Sequence, residues 1–154
     1  GMPMDGAADI VIADAKPMDI DLRQAIKAVA SSELAVKDGG VIILLARCPE
    51  GAAPQFPEFE KYGFSCPEKL KAMAEKGKIN RLAAYTLIAI GRIIKHKAKV
   101  ILVSKGISLT RARKLGFFWA KTLRSALTQA EGFVGKKPKI VYIKRACEIL
   151  PLLN

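Results

Sequence analysis

Four short apolar runs punctuate the chain, and hydrophobic positions between them recur at helical spacing. Asp9 to Ala13 (DIVIA), Val41 to Ala46 (VIILLA), Lys99 to Val103 (KVILV) and Lys139 to Ile143 (KIVYI) have the length and β-branched content of strands. VIILLA is apolar throughout, as a strand covered on both faces must be, so it is expected at the centre of a sheet. After the first run come Lys16-Pro17 and then Asp19, a good N-cap for the amphipathic stretch Ile20 to Lys37, which Asp38-Gly39-Gly40 should end. Cys48 to Phe59, with Pro49, Pro54 and Pro57, reads as a long loop. Helical spacing resumes over Pro67 to Lys76 and over Ile79 to Lys97, where Leu82, Tyr85, Ile88 or Ala89, and Ile93 share one face. Two further helices fit Leu109 to Leu115, ended by Gly116, and Thr122 to Phe133, ended by Gly135.

Strands alternating with helices at this spacing predict right-handed crossovers and a mostly parallel sheet of about four or five strands. Helices cover both faces, giving a Rossmann-like three-layer α/β sandwich. A length of 154 residues suits a single domain spanning 1–154. Residues 1–8 are expected to form a flexible N-terminus, and Gly1 ahead of Met2 reads as a residue left by tag cleavage. No apolar run approaches the roughly 20 residues that span a bilayer, and the acidic N-terminus does not resemble a secretory signal. Cys48, Cys66 and Cys147 are too scattered for a disulfide framework or a zinc knuckle. A reducing, cytoplasmic location is expected, without membrane contact, and a homo-oligomer stays open.

Composition adds little until charge is divided along the chain. The whole carries 26 Lys and Arg against 14 Asp and Glu, a net +12. Residues 1–77 hold 9 basic and 12 acidic side chains, whereas residues 78–154 hold 17 basic and only Glu131 and Glu148 against them. A half at +15 repels itself and favours a polyanion, an acidic surface or bound phosphate.

Ligands of parallel α/β sheets sit beyond the carboxyl ends of the strands. Asp14 to Leu22, Arg47 to Gly51 and Ser104 to Ser108 should meet there, which makes Cys48, Glu50, Gly51 and Lys105 crevice-loop residues. Arg23, Gln24 and Lys27 fall in the opening turns of a helix that starts near Asp21, spaced to share one surface. Two cations and an amide beside the positive end of a helix suit a carboxylate or phosphate, and the same spacing serves an ordinary solvated face. Cys48 reads either as a thiol activated by Arg47 or as a buried side chain. Trp119 reads either as a base-stacking platform or as core. No Walker loop, G-x-G-x-x-G, G-x-S-x-G or C-x-x-C occurs.

The stretch Ala8 to Gly51 resembles the start of the C-terminal domain of the nickel-dependent (nickel-pincer) lactate racemase family. The matching elements are Pro17, Asp19-Ile20-Asp21-Leu22, Gln24, Lys27, Gly39-Gly40 and Cys48-Pro49-Glu50-Gly51. KVILVSKGIS and LGFFWAKTLRSAL are similar to the remainder of that domain. The resemblance implies a substrate-capping module of a 2-hydroxy acid racemase or epimerase. Gln24 would orient a small 2-hydroxy acid and Lys27 would supply charge to its carboxylate, with Arg23 beside them. A nickel pincer nucleotide and paired histidines would reside on an N-terminal domain or subunit.

Three departures bear on the substrate. Arg23 stands where the family commonly has Tyr, Ala15-Lys16 replaces a Gly pair before Pro17, and no Trp-Gln pair precedes the long helix around Asn80 to Leu82. The only histidine is His96, within Lys95-His96-Lys97. Two-base chemistry and a nickel site both need more groups than that. The chain alone is therefore expected to be inactive, to contribute no catalytic residue and to bind no metal. The alternative expectation is a stand-alone basic α/β domain that binds an anionic partner or nucleic acid through residues 78–154.

Overall fold

The computed structural model describes residues 7–149. Expectations for residues 1–6, Gly1 included, lie outside the described residues, and Ala8 already begins the first strand. Five strands form one sheet: β1 (Ala8–Asp14), β2 (Val36–Leu45), β3 (Ala98–Val103), β4 (Phe118–Ala120) and β5 (Ile140–Ile143). The order is β4-β3-β2-β1-β5, and every pairing is parallel. Helices α1 (Leu22–Ala25), α2 (Lys27–Ser32), α3 (Glu58–Tyr62), α4 (Pro67–Glu75), α5 (Arg81–His96), α6 (Leu109–Leu115) and α7 (Leu123–Val134) fill the crossovers.

Strand order decides how the helices divide. The steps from β1 through β4 all run the same way across the sheet, so right-handed crossovers stack their helices on one face. The return from β4 to β5 runs the other way and places α7 on the opposite face. Alternation along each strand supplies both cores. Ile42 and Leu44 face the larger helical layer, while Ile10, Ile12, Val41, Ile43 and Ile101 meet Ala126 and Ala130 of α7. The VIILLA strand thus lies at the centre of the five and is buried on both sides, as its pattern requires.

Four expectations need correction. The 20–37 stretch is not one helix: α1 and α2 meet at Ile26, and the helix stops at Ser32. Asp38-Gly39-Gly40 lies inside β2 as an irregularity in its pairing with β1. Gly40 is needed there, because a Cβ would come within 2.7 Å of Val36 and 2.8 Å of the Asp9 carbonyl. Phe118-Trp119-Ala120, given no strand by its pattern, forms an edge strand. Finally, α5 keeps only Ile93 and the half-buried Ile88 of the expected face inward. Ala83, Ala84, Leu87, Ile90 and Gly91 are buried, whereas Leu82 and Tyr85 are 68% and 77% exposed. The small residues let the helix approach closely, and a Cβ on Gly91 would fall 2.5 Å from the Phe64 carbonyl.

Candidate functional site

The carboxyl ends of the strands are tied together by a short chain of polar contacts, and Asp19 is its anchor. The Asp19 carboxylate, buried beneath the loop that follows β1, accepts the Arg47 backbone N–H at 2.9 Å. It also accepts the Arg47 Nε and Nη2 donors, each at 2.8 Å, which makes the ion pair bidentate. These hydrogen bonds hold the Asp19 carboxyl down at about 2, and the buried oxygen has every partner it needs. Backbone bonds from Cys48 to the Asp19 carbonyl (2.8 Å) and from Glu50 to the Ile20 carbonyl (3.0 Å) close the strap. The Arg47 carbonyl then accepts Ser104 Oγ at 3.1 Å and the Gly106 N–H at 2.9 Å, so the loop after β3 joins the other two. Asp19 is therefore a brace, not the N-cap.

That cap is Asp21, whose carboxylate accepts the Gln24 N–H at 2.9 Å. The two preceding amides are also engaged, Leu22 by the Gly51 carbonyl at 3.0 Å and Arg23 by the Ala52 carbonyl at 2.9 Å. The free helix N-terminus expected to seat an anion is thus already satisfied by the chain itself. Only side chains remain to recognise a ligand on α1.

Two concavities flank these loops. A hollow of about 160 Å³ lies between α1 and the 50–56 loop, lined by Asp21, Arg23, Gln24, Glu50 and Phe56. The Arg23 guanidinium stacks 4.6 Å above the Phe56 ring, and the Gln24 amide leans on Asp21 at 3.4 Å. The second concavity, about 280 Å³, is the crevice beyond the strand ends, with Lys16, Arg47, Lys105 and Lys121 around Asp14 and Asp19. Asp14 accepts the Lys16 N–H at 3.0 Å and the Tyr142 hydroxyl at 2.8 Å, which ties β5 to the same rim.

The structure therefore divides the residues singled out by sequence. Arg23, Gln24 and Glu50 meet in the hollow, and Lys105 stands in the crevice. Lys27 is exposed at the start of α2 and lines neither concavity. Cys48 and Gly51 are buried in the strap between them. Burial pushes the Cys48 thiol up to about 12, so it stays protonated and the activated-thiol alternative fails. Trp119 donates its indole N–H to the Ile107 carbonyl at 2.8 Å and fills a half-buried structural position. Sequence reasoning missed Asp19 as a brace, Asp14 and Lys16 as rim residues, and Lys121, which follows the three-residue β4. The usable signal was positional, since Asp14, Arg47 and Ser104 lie at or just beyond the ends of apolar runs.

Among the described residues no group of three or more His, Cys, Asp or Glu side chains could hold a metal ion, and His96 is exposed. The described residues thus present no clustered donor set for nickel. Nor is any described helix long and apolar enough to cross a membrane.

Comparison with known proteins places the whole arrangement. Residues 4–150 match the family model of the lactate racemase C-terminal domain. The chain is 29% identical over 146 residues to a lactate racemase of Thermoanaerobacterium thermosaccharolyticum, an alignment covering 93% of this chain and 34% of that protein. The solved apoprotein structure of lactate racemase from that organism is similar over 94% of this chain and 35% of its own, with a TM-score of 0.79 and 28% identity. The chain thus spans about a third of the relatives it matches. With the parallel five-stranded sheet and the near full-length match in hand, the chain belongs to the lactate racemase C-terminal domain family.

Proposed function

We propose that this domain caps the substrate of a lactate-racemase-like 2-hydroxy acid racemase or epimerase and is inactive by itself. The observation that carries the reading is the extent of the likeness. The family model covers nearly all of the chain, while the chain covers only a third of lactate racemase. The rest of the machinery, including a nickel pincer nucleotide and the groups that act at the substrate C2 carbon, belongs to an N-terminal domain or subunit. Three free cysteines fit a cytoplasmic setting.

In this role Lys27 supplies charge to the substrate carboxylate, Gln24 orients it and Arg23 adds a second cation. The hollow alone is an incomplete pocket, because Asp21 and Glu50 oppose the single guanidinium of Arg23. The exposed Lys27 lies outside it, so the opposing domain must complete the seat. Alone, the domain is therefore expected not to retain a hydroxy acid.

The test assembles this chain with a nickel-loaded N-terminal domain of a lactate racemase and follows interconversion of D- and L-lactate. Gln24→Ala and Lys27→Ala should each lower kcat/KM by about 10- to 100-fold with folding intact. Unchanged rates would remove those residues from the substrate site, and racemisation by the isolated chain would overturn the capping role.

A further inference from the structure

We propose that the crevice beyond the strand ends binds a phosphomonoester, with the phosphate dianion among Lys16, Arg47, Lys105 and Lys121. Each cation comes from a different loop, the ones after β1, β2, β3 and β4, and the sheet brings all four to one concavity of about 280 Å³. Arg47 is matched by Asp19. Against the remaining three lysines stands only Asp14, so the crevice carries a net +2. Among the described residues, Lys16, Lys105 and Lys121 form no ion pair.

Like charges gathered on a rigid rim are unfavourable until a counter-charge arrives. The backbone of the loops after β2 and β3 is braced here. The Arg47 carbonyl fastens the β3 loop through Ser104 and Gly106, and a Cβ at Gly106 would sit 1.7 Å from the Cys48 carbonyl. A net +2 is satisfied by a dianion, whereas a monocarboxylate leaves half of it uncompensated. Lysines act as point charges around a compact tetrahedral group, which suits phosphate. Leu45, Ala46 and Val103 supply an apolar wall for a small organic arm. This site is separate from the α1 hollow, and nothing in it depends on the capping role.

Calorimetric titration of the 154-residue chain with inorganic phosphate, glycerol 3-phosphate and lactate tests the assignment. Both phosphates should saturate, and lactate should bind at least about tenfold more weakly. Lys105→Ala and Lys121→Ala should each raise Kd for phosphate about tenfold, Lys105→Arg should restore binding, and the exposed Lys95→Ala on α5 should change nothing. Absence of saturation up to about 10 mM phosphate, equal affinity for lactate, or equal weakening by Lys95→Ala would overturn the proposal. Racemisation is not read in this assay, so its failure and that of the capping role remain distinguishable.

Discussion

The hollow on α1 and the crevice beyond the strands lie on either side of the same strap, yet they are built in opposite ways. The hollow is made by near neighbours: Asp21 caps its own helix three residues on, and one loop closes over it. The crevice is made by residues far apart in sequence, held by the bidentate pair of Asp19 with Arg47 and by the Arg47 carbonyl. Charge follows the same division. The hollow holds two carboxylates beside one guanidinium, whereas the crevice gathers four cations around two carboxylates. A locally built concavity tolerates an unfavourable balance when a partner is to complete it. A charged site built from four strand ends requires a stiff frame before any ligand arrives.

If that contrast holds, damage to the strap should be felt far more than damage to α1. The largest effect is expected at Gly106→Ala. Its Cβ cannot coexist with the Cys48 carbonyl, so the loops after β2 and β3 must separate. We expect a loss of about 3 kcal/mol or more in urea unfolding, or failure to fold. A loss below about 1 kcal/mol would show that the loops are not clamped.

Asp19→Asn comes next. The buried carboxyl has been drawn from its ordinary value near 3.8 down to about 2, chiefly by the Arg47 hydrogen bonds. At roughly 1.4 kcal/mol per pKa unit, the carboxylate contributes about 2 kcal/mol at neutral pH. The folded value lies below the unfolded one, so this contribution is complete above about pH 5 and disappears as the pH falls from about 4 toward 2. Wild type and Asp19→Asn should therefore differ by about 2 kcal/mol at pH 7 and converge in acid. A difference independent of pH would mean that something other than the charge is lost. Asp21→Ala, which removes only a helix cap, should cost about 1 kcal/mol.

The same division explains what could be read from the chain. VIILLA and KVILV announce central strands because both faces are buried, and Gly116 and Gly135 mark helix ends through local backbone needs. The α1 residues follow from spacing and an acidic cap, although that cap is Asp21 rather than Asp19. Asp19 looks like a cap in sequence and becomes a brace only when Arg47, 28 residues on, comes to rest against it. Phe118-Trp119-Ala120 is too short to declare itself a strand, so Lys121 has no sequence signal at all. The face of α5 misleads for a related reason. Leu82 and Tyr85 outweigh Ala83 and Gly91 in hydrophobicity, but close approach to Phe64 and Pro67 selects the smaller side.

The smallest expected effect is the sharpest test of the capping role. Lys27 is exposed, takes no part in an ion pair among the described residues and touches neither concavity, so nothing in the fold depends on its charge. Lys27→Ala should change stability by less than about 0.5 kcal/mol, measured by urea unfolding of the isolated chain. Under the capping role it nevertheless removes the cation that meets the substrate carboxylate, and activity of the assembled racemase should fall while the melt does not move. A residue that is silent in the fold and costly in the reaction is kept for a ligand. A loss above about 1 kcal/mol would instead show Lys27 to be part of the frame, and its reading as a cation held out for the opposing domain would fail.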